Sequence, residues 1–254
     1  MYAQQLNIET IANNIANINT TGFKKNKAEF QDLMYQEIPS SNVSSNSINA
    51  PATGGEVLQI GSGVQASSTQ KIFKQGDLQP TNNQLDLAIQ GEGFFQIKKP
   101  DGTFTYTRDG TFKISGDGRI VTSNGFLLEP EIALDDDVLG IGIGRDGTFQ
   151  VQTGGGNSYV LDNIQLVRFM NPGGLVAMGD NLYSATESSG KPIFGTPGSD
   201  GFGEIHQGYV EASNVDIVEE MIAMITAQRA YEINSKTVKT VEEMLTMANN
   251  LKRG

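Results

Sequence analysis

Residues 209–253 read YVEASNVDIVEEMIAMITAQRAYEINSKTVKTVEEMLTMANNLKR, a stretch with neither Gly nor Pro. With no helix breaker inside it, the stretch predicts a helix of up to about 65 Å at ~1.5 Å per residue. A domain of this chain's size would not bury so long an element, so something outside its own domain is expected to cover it. Met224, Ala227, Tyr231, Asn234, Val238, Val241, Leu245 and Ala248 recur at alternating spacings of three and four, a coiled-coil seam that only Asn234 interrupts. Upstream, Val215, Val218, Ile222 and Ile225 repeat in a shifted register, so the stripe is wide or changes partner along its length. Ser213, Asn214 and Asp216 make a cap-rich start, Glu219 and Glu220 place negative charge where the helix dipole favours it, and Lys252 and Arg253 close the other end.

The amino end answers with a shorter version of the same pattern. Ile8, Ile11, Ile15 and Ile18 repeat at spacings of three, four and three, with Asn13, Asn14, Asn17 and Asn19 between them. Isolated helices below ~12–15 residues are marginal in water, so this helix needs a partner, and the carboxyl seam is the candidate. The asparagines either hydrogen-bond across helices and fix register or serve as solvated and capping residues. An ordinary helix pair packed on its own domain is the competing reading of both ends, and length weighs against it.

All eight prolines lie between Gly22 and Gly208. Residues 23–38 read as a short helical or irregular segment, and Pro39 to Gly55 as a Ser/Asn-rich loop. Strand-like runs follow at 57–60, 93–97, 103–107, 111–114, 119–122 and 163–169. Asp-Gly occurs at 101–102, 109–110, 117–118 and 146–147, and three of these continue as Asp-Gly-Thr-Phe, a strong hairpin signal. The fold class is therefore α+β: terminal helices forming a coiled-coil-like pair, with an antiparallel β-rich centre. The expected divisions are 1–38, 39–84, 85–208 and 209–254.

Composition narrows the function. A net charge of −11 argues against an electrostatic grip on nucleic acid or anionic lipid. No apolar run reaches membrane-spanning length, and the opening residues lack a secretory signal's basic and apolar regions. The absence of Cys removes disulfides and thiol chemistry. The lone His206 supports neither a metal pair nor a catalytic triad. Gly140 to Arg145 lacks the Lys-Ser or Lys-Thr of a phosphate loop and reads as a strand end and turn, and Asp135-Asp136-Asp137 lacks calcium-loop spacing and reads as a solvated acidic turn. No catalytic residue, cofactor or metal site is expected.

Residues 4–24, QQLNIETIANNIANINTTGFK, closely resemble the amino-terminal signature of bacterial flagellar basal-body rod and hook proteins, Gly22, Phe23 and Lys24 included. Residues 208–215, GYVEASNV, and 228–236, QRAYEINSK with Gln228 and Arg229, are similar to the distal rod branch in particular. Between them, 85–95, LDLAIQGEGFF, and 106–110, YTRDG, resemble the central motif, which contributes Gly91, Gly93, Phe94 and Phe95. The resemblance implies a structural subunit that polymerises helically into a hollow drive shaft, with the terminal helices lining it. It also implies type III export without a cleaved signal, a periplasm-spanning location, and contacts with proximal rod proteins, the hook protein and the P and L rings. Family members carry several residues before the stretch matching Tyr2-Ala3-Gln4-Gln5, so Met1 is expected to be a late start. The competing readings are a proximal rod or hook-type subunit, a secreted β-rich binding or adhesion module oligomerised by its helices, and a peptidoglycan-cleaving enzyme, for which no residue speaks.

Overall fold

A computed structural model describes residues 1–39, 57–134, 138–154, 158–199 and 201–251. The loop expected at 39–55 and the acidic run 135–137 thus fall almost wholly outside the described residues. The chain divides into two compact units: residues 12–26 with 71–221, and residues 1–11 with 27–70 and 222–254. Two helices, α1 (Tyr2–Ala16) and α2 (Ile217–Leu251), contribute residues to both units.

The first unit is built on a nine-stranded antiparallel sheet. Its central strand, Phe94–Lys98, pairs with Phe104–Thr107, Leu127–Glu129 and Leu166–Arg168. Successive strand residues point to opposite faces, and that alternation sorts this strand between two cores. Phe95 and Ile97 join Leu87, Ile89, Phe112, Leu128, Phe149 and Leu166 on one side. Phe94 joins Tyr106, Val167, Phe169, Leu175 and Tyr183 on the other. Burying each large side chain stabilises by about 1.5–3 kcal/mol, and edge-to-face pairs such as Phe95 with Phe112 at 5.3 Å and Tyr106 with Phe169 at 4.8 Å add to it. A three-stranded sheet, Val138–Ile143, Thr148–Thr153 and Ser158–Asn163, and the pairs Leu87–Gln90 with Glu204–Gln207 and Leu78–Pro80 with Tyr209–Glu211 complete this unit.

Of the four Asp-Gly pairs singled out above, three turn hairpins as expected: Gly102, Gly118 and Gly147 all have positive φ and join paired strands. The fourth does not. Asp109-Gly110 joins Phe104–Thr107 to Phe112–Ile114, which lie apart in the sheet order. A Cβ on Gly110 would lie 1.6 Å from the Leu87 carbonyl oxygen, so glycine is required there for close approach.

The second unit buries little. Among its described residues only Ala3, Ile11 and Ala227 are buried. Strand Asn26–Asp32 pairs with Val64–Lys71, and Gln36–Pro39 with Val57–Ile60, register Gln36 to Ile60. This corrects the helical or irregular reading of 23–38: the segment is extended, held by a partner strand distant in sequence. A second correction concerns the carboxyl end, where Tyr209–Glu211 is a strand and α2 begins only at Ile217. Its 35 residues span about 52 Å at ~1.5 Å each. Asp216 caps it, its Oδ1 accepting from Val218 N at 2.8 Å and Glu219 N at 3.3 Å.

Candidate functional site

The motifs at the amino end, the centre and the carboxyl end converge on one buried ionic joint. After α1 the chain turns through Gly22, whose φ of +67° and position against the Asp109 backbone admit no side chain. The Gly22 N–H donates to the Glu211 carbonyl at 2.8 Å, and Thr21 Oγ1 donates to Asp109 Oδ1 at 2.9 Å. That turn delivers Lys24 into the interior, where it is fully buried. Its Nζ donates to Glu211 Oε1 at 2.5 Å and to the Lys74 carbonyl at 2.9 Å. The Gly76 N–H donates to the same Oε1 at 2.9 Å, and the other Glu211 oxygen accepts from Arg108 Nη1 at 3.4 Å.

Arg108 in turn donates to the Ile89 and Gly91 carbonyls at 3.4 and 2.7 Å, and its guanidinium lies 5.3 Å from the centre of the Phe94 ring. Burial pushes both Lys24 and Arg108 below their ordinary pKa values, against the opposing pull of Glu211. One carboxylate therefore serves two buried cations. Gly91 and Gly93, both with positive φ, form the turn that brings Phe94 and Phe95 into the central strand.

Beside this joint lies a second cluster at the root of α2. Asn14 of α1, buried, donates from Nδ2 to Glu220 Oε2 at 3.1 Å and to the Asn26 carbonyl at 2.9 Å, and accepts from the Asn26 N–H at 2.9 Å. Lys25 reaches the other Glu220 oxygen at 2.5 Å and Glu219 at 3.6 Å. The Glu220 hydrogen bond raises Lys25 above its ordinary value. Asn214 accepts from the Lys25 N–H at 2.8 Å and donates to the Ile72 and Lys74 carbonyls at 2.8 and 2.9 Å.

The asparagines of the amino end thus divide by role. Asn14 bonds across to α2, while Asn17, past the end of α1, donates back to the Asn13 carbonyl at 2.8 Å. Ile18 also falls past the helix and, like Ile8 and Ile15, is half-buried. Ile11, Val215 and Ala227 are buried and Met224 is half-buried. Val218, Ile222, Ile225, Gln228, Arg229, Tyr231, Asn234, Val238, Val241 and Leu245 are all exposed. The seam read from the sequence is therefore an open apolar face over most of α2. The ionic roles of Glu211, Arg108 and Lys25 escaped the sequence reading. The available signal was a charged residue inside a glycine-rich or apolar motif.

Among the described residues no cluster of His, Asp and Glu is placed to hold a metal, and no helix is long and apolar enough to cross a membrane. Residues 1–24 match the flagella basal body rod protein family, 88–153 the flagellar hook protein FlgE/F/G D1 domain, and 206–251 the flagellar basal body rod FlgEFG protein C-terminal family. The chain is 48% identical to the flagellar basal-body rod protein FlgG of Borreliella burgdorferi, over 100% of this chain and 96% of the relative. This chain belongs to the flagellar basal-body rod protein family. The FlgG proteins of Caulobacter vibrioides, 47% identical over 99% of this chain and 96% of the relative, and of Bacillus subtilis, 36% over 98% and 94%, are further relatives. As a member of the flagellar rod family, the chain is a structural subunit of the flagellar basal body, assembling as a homopolymer, and not an enzyme. The three matched segments are those that meet at the ionic joint.

Proposed function

We propose that this rod subunit belongs to the distal rod and polymerises by burying the open face of α2 against the terminal helices of neighbouring copies. The observation that carries this reading is the exposure of that face: Ile222 is 61% exposed, Ile225 57% and Leu245 60%, on a helix of 35 residues. Contiguous exposed apolar surface of this kind marks an interaction site. Each copy offers one patch to a different patch on the next, a heterologous contact that does not close and so builds a helical tube. Torque then passes through many buried helix contacts from motor to hook.

On this reading the helix pairing uses Ile8, Ile11, Ile15, Val218, Ile222, Ile225, Val238, Val241 and Leu245, with Asn14 setting register. The subunit is exported by the type III route without a cleaved signal, spans the periplasm, and adjoins proximal rod proteins, the hook protein and the P and L rings. Electron microscopy of the purified protein tests the reading. Straight smooth tubes are expected, and curved tubes would favour a hook-type subunit. Amide exchange of α2 should slow markedly from monomer to polymer. Equal protection in both states would sink the role given to the helix face.

A further inference from the structure

Beside the ionic joint lies a cavity of about 130 Å³ that nothing above assigns. Its walls are the rings of Phe73, Phe94 and Phe169 together with Arg108, Arg168 and Glu92. Three features suit it to a single negative charge. First, the joint beneath it is not neutral: Lys24 and Arg108 share the one carboxylate of Glu211, and all three side chains are at most 6% exposed. A buried charge without a counter-ion is costly, so an anion arriving here gains what the fold leaves unmatched. Second, Arg108 Nε is buried and has no hydrogen-bond partner, an unfilled donor on a residue that forms part of the cavity wall. Third, the rim carboxylate Glu92 attracts Arg108 but makes no hydrogen bond to it; it is 75% exposed and lies 3.7 Å from Arg168 Nη1, which leaves the buried charge only partly matched.

We propose that this cavity receives an acidic side chain of a second copy of this chain, its carboxylate pairing with Arg108 and its methylenes packing on the phenylalanine rings. The aromatic walls suit a short apolar stem better than a fully hydrated phosphate. The chain itself supplies the ligand in quantity, with 29 Asp and Glu against 18 Lys and Arg. The second copy follows from the polymer reading above, on which this proposal rests. The contact adds to the helix face a charge-specific point where neighbouring β bodies recognise each other.

The test begins with the monomer. The Arg108 Nε–Hε resonance of ¹⁵N-labelled protein, assigned through-bond and by its loss in Arg108→Lys, is followed during titration with propionate. A saturable shift absent with chloride at matched ionic strength is expected, and its absence overturns the proposal. Met170, at the rim and 85% exposed, then gives the second arm. Met170→Glu places a carboxylate at the mouth of the cavity. It should move the Arg108 resonance without propionate and slow polymerisation by about tenfold or more. Leu139→Glu, the same charge change at an exposed site on the three-stranded sheet, should do neither. A protein that polymerises but is indifferent to Met170→Glu overturns the second-copy assignment alone. A protein that never polymerises overturns the proposed function and the second-copy source together, while the propionate titration still decides whether the cavity takes a carboxylate.

Discussion

The β body and the unit formed by the helix stems and ribbon are made from one chain by opposite rules. The body hides what it has: Phe95, Ile89, Ile164, Leu166 and Ile205 are all fully buried. Its buried cations share one carboxylate, and glycines such as Gly110 and Gly203 are set against carbonyls. The other unit leaves Met34, Tyr35, Ile60, Val64 and most of the apolar face of α2 in the open. Two two-stranded sheets and stretches of two helices bury too little area to be stable by themselves. On the proposed reading, the difference teaches that fold and assembly are separable in this sequence, with the body settled inside the subunit and the remainder left for neighbours to complete.

That separation predicts a graded set of outcomes. The largest falls on Glu211→Gln, which strips from two buried cations the one carboxylate they share and should destabilise the body by about 3–5 kcal/mol in denaturant unfolding. A loss below about 1 kcal/mol would mean the joint is not an ionic anchor. Next, Gly110→Ala should cost about 2–3 kcal/mol through collision with the Leu87 carbonyl. Gly102→Ala has open space around its Cβ and positive φ, and should cost only about 1–2 kcal/mol. Equal losses would dissolve the distinction between the crossover and the hairpin turns.

A smaller effect lies in pH. The folded-state pKa of Lys25 is raised above 10.5, so the stability from its pairing with Glu220 is fully present below pH 10.5 and is lost as pH climbs through the folded value. The loss should be about 1 kcal/mol, because the pair is partly screened. Lys25→Arg should carry the stability plateau to higher pH in the same titration. Smallest of all, Leu245→Ala should change monomer stability by no more than ~0.5 kcal/mol while weakening polymerisation, read by light scattering. Appreciable destabilisation of the monomer would show that α2 is already packed within one subunit.

How much of this was legible depended on where each residue finds its partner. The strand runs around Phe95, Tyr106 and Ile120 were readable because local alternation and Asp-Gly turns agree with the sheet. The strand Asn26–Asp32 was not, since NKAEFQD is polar apart from Ala28 and Phe30 and is extended by virtue of its pairing with Val64–Lys71. Tyr209–Glu211 was read into the helix because freedom from Gly and Pro is compatible with either state. Its pairing with Leu78–Pro80 decides the matter. The joint itself was hidden by separation: Lys24 meets Glu211 across 187 positions and Arg108 meets it across 103. The resemblance marked those motifs, and only the fold gave their charges a common address.

Asn214 stands two residues before the cap of α2, and its side chain holds three backbone groups at once. The amide thereby removes a swivel from the joint. A twist that reaches Asn214 loads the Lys25, Ile72 and Lys74 contacts together, so the three bonds resist turning at the root of the helix as a spring would. Asn214→Ala would convert that spring into a hinge, measurable as greater torsional compliance of the polymer. In the helical polymer proposed above, one asparagine per subunit would thereby set how much play each helix root allows.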